Sequence, residues 1–324
     1  MSQPNRPKRR SDGQPQIVSD QRRQQLGASF AEQSRAEALE YDAVRPGYPE
    51  AVIAEVLALA NGSHEDRGTD PGQTAEKGGA GTESGGRLEG QRLPTVVDLG
   101  AGTGILTRQL LSSGAGVIAV EPSRAMLDLL LNTSEQSVGP QNAEVSHEDS
   151  TTGPPRSAQP AVQGRCAPAE QTGLPVGCAD IVVAATAWHW FDPAEVQAEI
   201  LRILKPQGAV AVLSNHLDNT QDWVLRMARI MRAGDNYRPD WKLQLGPGFT
   251  EPHSAEYRWS RSVTTDELMR LNTTLSSWLA ADGDQRARLR ENLSWYLHQH
   301  LGYQPGAEVQ VPYITSLHTA RVHR

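Results

Sequence analysis

Long apolar runs are missing from this 324-residue chain, and cysteine nearly so. No stretch is long enough to span a bilayer, and the N-terminus carries no hydrophobic segment of the signal-peptide kind. A soluble, cytoplasmic protein that makes no use of a membrane is therefore expected. The two cysteines, Cys166 and Cys178, are too few for a disulfide framework and lack zinc-ligand spacing. They read as free thiols in a reducing compartment. His298, His300, His318 and His323 show no ligand spacing either, so no metal is expected. Excess positive charge is also absent: the net charge of −7 and pI near 5.7 exclude broad affinity for nucleic acid. The basic run Arg6 to Arg10, "RPKRR", reads as part of a solvated tail. Apolar residues make up only 38% of the chain, which implies that a polar minority stays out of the core.

That minority is easy to locate. Residues 1–25 are polar and aperiodic, a disordered tail. Residues at about 61–93 and 133–160 are rich in Gly, Ser, Thr and Glu and read as low-complexity insertions. The rest, within 26–324, alternates strand-like and helix-like segments. Pro49 opens a helix whose apolar face holds Val52, Val56 and Leu59. Thr95–Leu99 reads as a strand and Thr103–Leu111 as a helix. Val117–Val120 is a second strand, and Ser123 caps the helix carrying Met126 and Leu130. "ADIVVAA" (Ala179–Ala185) and "AVAVL" (Ala209–Leu213) are buried strands flanking a helix opened by Asp192-Pro193. Residues 264–301 look helical, and Val311–Val322 reads as a closing strand. This alternation predicts an α/β, Rossmann-like, doubly wound parallel sheet, with ligands at the carboxyl ends of its strands.

One such end carries "VVDLGAGTG" (Val96–Gly104). A phosphate-binding loop needs Lys followed by Ser or Thr after its glycines, and Ile105-Leu106-Thr107 stands there instead. A dinucleotide fingerprint needs a third glycine where Ile105 is found. That disfavours a nicotinamide-dependent oxidoreductase. Glu121, at the end of the second strand, lies where a carboxylate accepts from both hydroxyls of a ribose, so a nucleoside ligand is retained.

Taken with "VIAVEPSRAML", "ADIVVAATAWHWFDP", "EILRILKPQG" and the earlier "YDAVRPGYP", the loop resembles the class I S-adenosylmethionine-dependent methyltransferases. Within them it is similar to the type 11 small-molecule subgroup that includes trans-aconitate methyltransferase-like proteins. The resemblance covers roughly residues 38–60 and 94–324, apart from the second insertion. It implies a mostly parallel seven-stranded sheet with one antiparallel strand near the C-terminal edge, a substrate cap at about 220–305, and S-adenosyl-L-methionine as cofactor. It places Gly100, Ala101, Gly102 and Gly104 against the methionyl and ribose portions, with Asp98 supporting the loop. Glu121 and Pro122 fall on the ribose side, and Pro168, Ala169 and Glu170 along the adenine. Pro168 departs from the polar residue common there. Tyr41, Arg45, Tyr48 and Trp188 are implied as substrate or lid residues.

The reaction asks the protein chiefly for alignment, which supplies about 7–11 kcal/mol. A carboxylate acceptor needs no base, whereas a hydroxyl gains roughly 10²–10⁴-fold from one. His189, after the fourth strand, is the candidate base, set against a packing role in "WHWF". Trp223, Trp241 and Trp278 are candidate substrate contacts or core residues. The expected reaction is methyl transfer to a carboxylate or hydroxyl oxygen of a small molecule. The alternative is a cofactor-binding protein that has lost catalysis and acts as a regulator or partner subunit.

Overall fold

A computed structural model describes residues 34–61, 92–137, 161–233 and 241–323. The expected N-terminal tail with its basic run, and most of both polar insertions, lie outside the described residues. Two helices, α1 (Arg35–Val44) and α2 (Glu50–Ala58), precede the sheet. Then follow β1 (Thr95–Leu99), α3 (Ile105–Ser112), β2 (Gly116–Val120), α4 (Arg124–Ser137) and β3 (Val162–Arg165). Next come β4 (Ala179–Ala185), α5 (Pro193–Ile203), β5 (Leu204–Leu217) and α6 (Asp222–Met231). The chain closes with β6 (His253–Thr264), α7 (Thr265–Thr273), α8 (Ser276–Leu279), α9 (Gly283–Trp295) and β7 (Glu308–Arg321).

Seven strands form one sheet in the order β3-β2-β1-β4-β5-β7-β6. The first five pair in parallel, and β7 runs antiparallel to both β5 and β6. Successive crossovers lead from β1 outward through β2 and β3, then return to β4 on the other side of β1. That reversal opens a crevice at the carboxyl end of β1, where the glycine loop begins.

The central strands are apolar throughout because both faces are covered. Val97, Val182, Ala184, Val210 and Val212 join Val196, Ile200 and Ile203 of α5 in one core. Their strand neighbours Val96, Ile181, Val183, Ala209 and Ala211 face the opposite way, onto Val52 and Val56 of α2 and Leu106 and Leu110 of α3. A third core lies under the cap, where Met227, Met231, Leu268, Leu271 and Leu293 meet Val309, Val311 and Tyr313 of β7.

Several boundaries differ from the sequence reading. α4 continues to Ser137, into the stretch read as an insertion. α3 starts at Ile105 because Gly104, at φ 88°, is left-handed and cannot belong to the helix. The largest difference is β6: residues 253–264, read as part of the cap, form the outer strand of the sheet. Ser34 and Glu37 close a capping box at the start of α1, and Asp192 caps α5 through the amides of Ala194 and Glu195.

Candidate active site

The glycine loop is held to the end of β2, where Gly100 and Ala101 donate their N–H groups to the Val120 carbonyl (2.8 and 3.1 Å). Its glycines serve two purposes. A Cβ on Gly104 would stand 2.5 Å from Leu130 Cγ, and one on Gly100 would stand 2.7 Å from Ala187 Cβ, so these two make room for the protein itself. Gly102 (φ 58°) is different, because nothing lies within 4 Å of where its Cβ would be. It leaves space for a ligand.

Two acids sit beneath the loop. Glu121, 6% exposed, accepts from the N–H of Gly102 at Oε2 (2.9 Å) and from that of Ser123 at Oε1 (2.8 Å). Each oxygen keeps a lone pair for a further donor. Burial pushes this carboxyl above its ordinary range against the pull of the two donors. Asp98 accepts from Thr107 Oγ1 at Oδ2 (2.7 Å), while its buried Oδ1 has no partner among the described residues. Burial, opposed by the Thr107 bond and reinforced by Glu121, raises Asp98 to about 7. Thr103 Oγ1 is likewise buried and unpartnered.

Asp98, Gly100, Ala101, Gly102 and Thr103 form one wall of a cleft that also takes in Tyr41, Arg45 and Tyr48. Its free space, counted out into the solvent at the open mouth, is about 940 Å³. The cleft is also lined by Asn215, Leu217, Met231, Leu271, Leu275 and Tyr313. Open space at Gly102, unspent acceptors on Asp98 and Glu121, and the unpartnered Thr103 hydroxyl fit the polar end of a nucleoside cofactor with donors of its own.

The segment between α1 and α2 lies across this cleft and is fastened on several sides. Gln109 of α3 exchanges hydrogen bonds with the Tyr48 backbone (2.9 and 2.7 Å). Asn215 Nδ2 donates to the Gly47 carbonyl (2.9 Å). The Tyr48 hydroxyl meets Thr186 Oγ1 at 3.0 Å. Thr186, at the end of β4, has φ 54°, an unfavourable backbone for a β-branched residue and one that clusters at functional sites. Arg45 lies over the Tyr41 ring and donates from Nε to Thr274 Oγ1 (3.0 Å) and from Nη2 to the Thr274 carbonyl (2.7 Å). One edge of its guanidinium is thus spent on the cap. Arg108 joins the lid to the loop, donating to Asp42 (2.6 Å) and to the Thr103 carbonyl (2.8 Å).

Other expected site residues stand outside the cleft lining. Pro122, Ala169 and Glu170 lie where β2 and β3 end, joined by the Glu121 N–H to the Arg165 carbonyl and by Cys166 Sγ near the Pro122 carbonyl. Ala169 is buried, and the Glu170 carboxylate accepts from the Asp192 N–H (2.8 Å). That carboxylate fixes the loop to the start of α5. Trp188 packs edge-on against Phe191 in the core beside α5, and the His189 ring lies against Trp190 at 4.4 Å. Neither Trp188 nor His189 is among the residues that line the cleft, although Ala187 and Phe191 on either side of their turn lie against Gly100 of the loop. Of the three tryptophans, none lines the cleft either. Sequence reading missed Thr186, Asn215 and Tyr313. All three sit at strand ends at the carboxyl edge, a placement visible only once strand order is known. Among the described residues no cluster suited to a metal ion occurs, and no helix is long and apolar enough to cross a membrane.

Residues 97–212 match the model of a methyltransferase domain. An uncharacterised methyltransferase of Mycobacterium tuberculosis is 29% identical over 221 residues, covering 68% of this chain and 80% of its own. An uncharacterised methyltransferase-like protein of Schizosaccharomyces pombe is 29% identical over 191 residues, 56% of this chain and 64% of the relative. Among solved structures, a proposed type II methyltransferase from Anaeromyxobacter dehalogenans is similar at 21% identity and a TM-score of 0.48, covering 86% of this chain and 97% of that one. The glycine loop and its buried acids fall within the matched region, so this chain carries a methyltransferase domain of the S-adenosylmethionine-dependent kind.

Proposed function

We propose that the enzyme methylates an oxygen of a small, largely apolar acceptor. The observation that carries this reading is the continuity of the cleft. The same cleft holds the glycine loop with Asp98 and, beyond it, Tyr313 and Arg45 with Leu217, Met231, Leu271 and Leu275. A small molecule with an apolar body and one polar end matches that lining.

Gly102 and Thr103, with the carboxylates of Asp98 and Glu121, would hold the polar portions of S-adenosylmethionine, while Pro122, Ala169 and Glu170 border the adenine. When bound, the cofactor supplies an electrophilic methyl group on a sulfonium sulfur. The chain's part is to hold the acceptor in line and to exclude water. The lid does both: Tyr41, Arg45 and Tyr48 close one side of the cleft, and their bonds to Thr274, Thr186 and Gln109 fix it in place. His189 is not among the residues that line the cleft, and its ring lies against Trp190. His189→Ala is therefore expected to leave turnover within about threefold of wild type, well short of the roughly 10²-fold loss that removing a general base brings. A hundredfold fall at unchanged cofactor affinity would restore it to the mechanism.

The reading is tested by offering the protein S-adenosylmethionine with a tritiated methyl group beside a panel of short, fatty and terpenoid acids and phenols. An O-methyl ester or ether is the expected product. Label confined to nitrogen or carbon products, or no transfer to any oxygen, would contradict it.

A further inference from the structure

Tyr313 stands on β7 opposite Leu217 of β5 and Trp259 of β6. Because β7 runs antiparallel, this early residue reaches the carboxyl edge where β5 ends and the cleft begins. Its ring is stacked on Trp259 (5.2 Å between centroids, 25° between planes), and Trp259 is itself held by a bond from Nε1 to Thr315 Oγ1 (2.9 Å). The ring is thus well fixed. The hydroxyl is not: Tyr313 is 4% exposed, yet its Oη has no partner among the described residues. A buried hydroxyl without a partner is unfavourable, and phenylalanine would fill the same volume without that cost. The oxygen is surplus to the fold, and the residue that carries it is among those lining the cleft.

We propose that the Tyr313 hydroxyl holds the reacting oxyanion of the acceptor in the cleft, an assignment that rests on the oxygen-directed reading above. Burial raises this phenol to about 12, against the opposing charges of Arg261 and Arg45. It therefore keeps its proton and acts as a donor near neutral pH. Those two guanidiniums, one bonded to the Val44 carbonyl and the other to Thr274, add positive charge beside it. Donor and field together favour an oxyanion, and the walls of Leu217, Met231 and Leu271 favour an apolar body behind it. Methyl transfer to that oxyanion forms a C–O bond as the C–S bond of the sulfonium breaks, its electron pair staying on sulfur. The two charges cancel, and Tyr313 gives up no proton.

The test uses p-nitrophenolate as probe, at a pH where it is ionised, with nitrobenzene as the analogue that lacks the oxygen. Wild type and Tyr313→Phe are each saturated with S-adenosylhomocysteine and titrated. Wild type is expected to bind p-nitrophenolate with a blue-shifted band. The variant is expected to bind it roughly 10- to 100-fold more weakly, with the shift lost. Nitrobenzene and S-adenosylhomocysteine should bind both proteins alike, and the ligand-free variant should melt at the same temperature or higher. A merely structural tyrosine would instead lower the melting temperature. Equal p-nitrophenolate affinity in the two proteins, no binding to the saturated wild type, or a variant that melts lower overturns the assignment. The oxygen-directed reading fails separately: its failure is an absence of O-methyl products in the tritium assay. O-methyl products formed with the same kcat/KM by wild type and Tyr313→Phe would sink only the role of Tyr313.

Discussion

Gly102 and Gly104 differ in what their missing side chains leave free, and substitution by alanine separates the two. At Gly104 a methyl group collides with Leu130 and the backbone is left-handed, so Gly104→Ala is expected to be poorly folded. At Gly102 the new methyl meets no protein atom, and the positive φ costs about 1–2 kcal/mol. Gly102→Ala should therefore fold with a modest fall in Tm while losing S-adenosylhomocysteine affinity by about tenfold or more, since the methyl enters the space left for the ligand. Unchanged affinity would place the ligand elsewhere. Asp98 gives a prediction in pH. Its carboxyl titrates near 7 in the fold and near about 4 in an unfolded chain. Between those values the folded protein binds more protons, so its ligand-free stability falls as pH rises through this window and levels off above 7. Asp98→Asn, which can still accept from Thr107, should flatten that limb of a Tm-versus-pH curve. An unaltered limb would assign it to another group.

At the scale of elements, the loop after β3 owes its position to α5. Glu199 Oε1 accepts from the N–H and hydroxyl of Thr172 (2.9 and 2.5 Å), and Arg202 donates to both Glu199 and the Leu174 carbonyl. The Arg202 bonds, aided by Thr172, hold the Glu199 carboxyl down at about 2. Its contribution to stability is complete above the ordinary glutamate range near about 4.3 and is lost as pH falls from there toward 2. Glu199→Gln should lower Tm at neutral pH and remove that part of the acid transition. An identical acid limb in the variant would show that the clamp contributes nothing. The parallel strands β1, β2, β4 and β5 were legible because burial leaves continuous apolar runs, whereas the mostly exposed β3, VQGR, was not; the Asp192 and Ser123 caps were legible because capping is local chemistry. β6 was not. Its Ala255, Tyr257 and Trp259 do alternate with Glu256, Arg258 and Ser260, but its charges, which blunt an edge against further pairing, and its aromatics were read together as part of the cap. The cofactor end of the site was readable from glycines and an acid in fixed order along one crossover. The acceptor end was not, because Thr186, Asn215 and Tyr313 come together only through the strand order.

Across the whole molecule, two constructions share one cleft. The α/β sheet supplies a loop at its topological switch point, and the cap with the α1–α2 segment closes over it. Arg108 spans the two, donating to Asp42 of α1 and to the Thr103 carbonyl of the loop. Arg108→Gln should therefore loosen both sides together, raising KM for the acceptor and weakening S-adenosylhomocysteine binding, with a shift in Tm of a few degrees at most. An effect on the acceptor alone would show that lid and loop act independently. The central claim is that the glycine loop and its buried acid form the cofactor seat. Calorimetric titration with S-adenosylhomocysteine, on wild type and Glu121→Ala, tests it most directly. The account predicts clear one-to-one binding to wild type and a loss of roughly tenfold or more in the variant, the scale of a hydrogen bond to a charged group. A folded wild type that takes up no S-adenosylhomocysteine, or a variant that binds it equally well, would contradict the account.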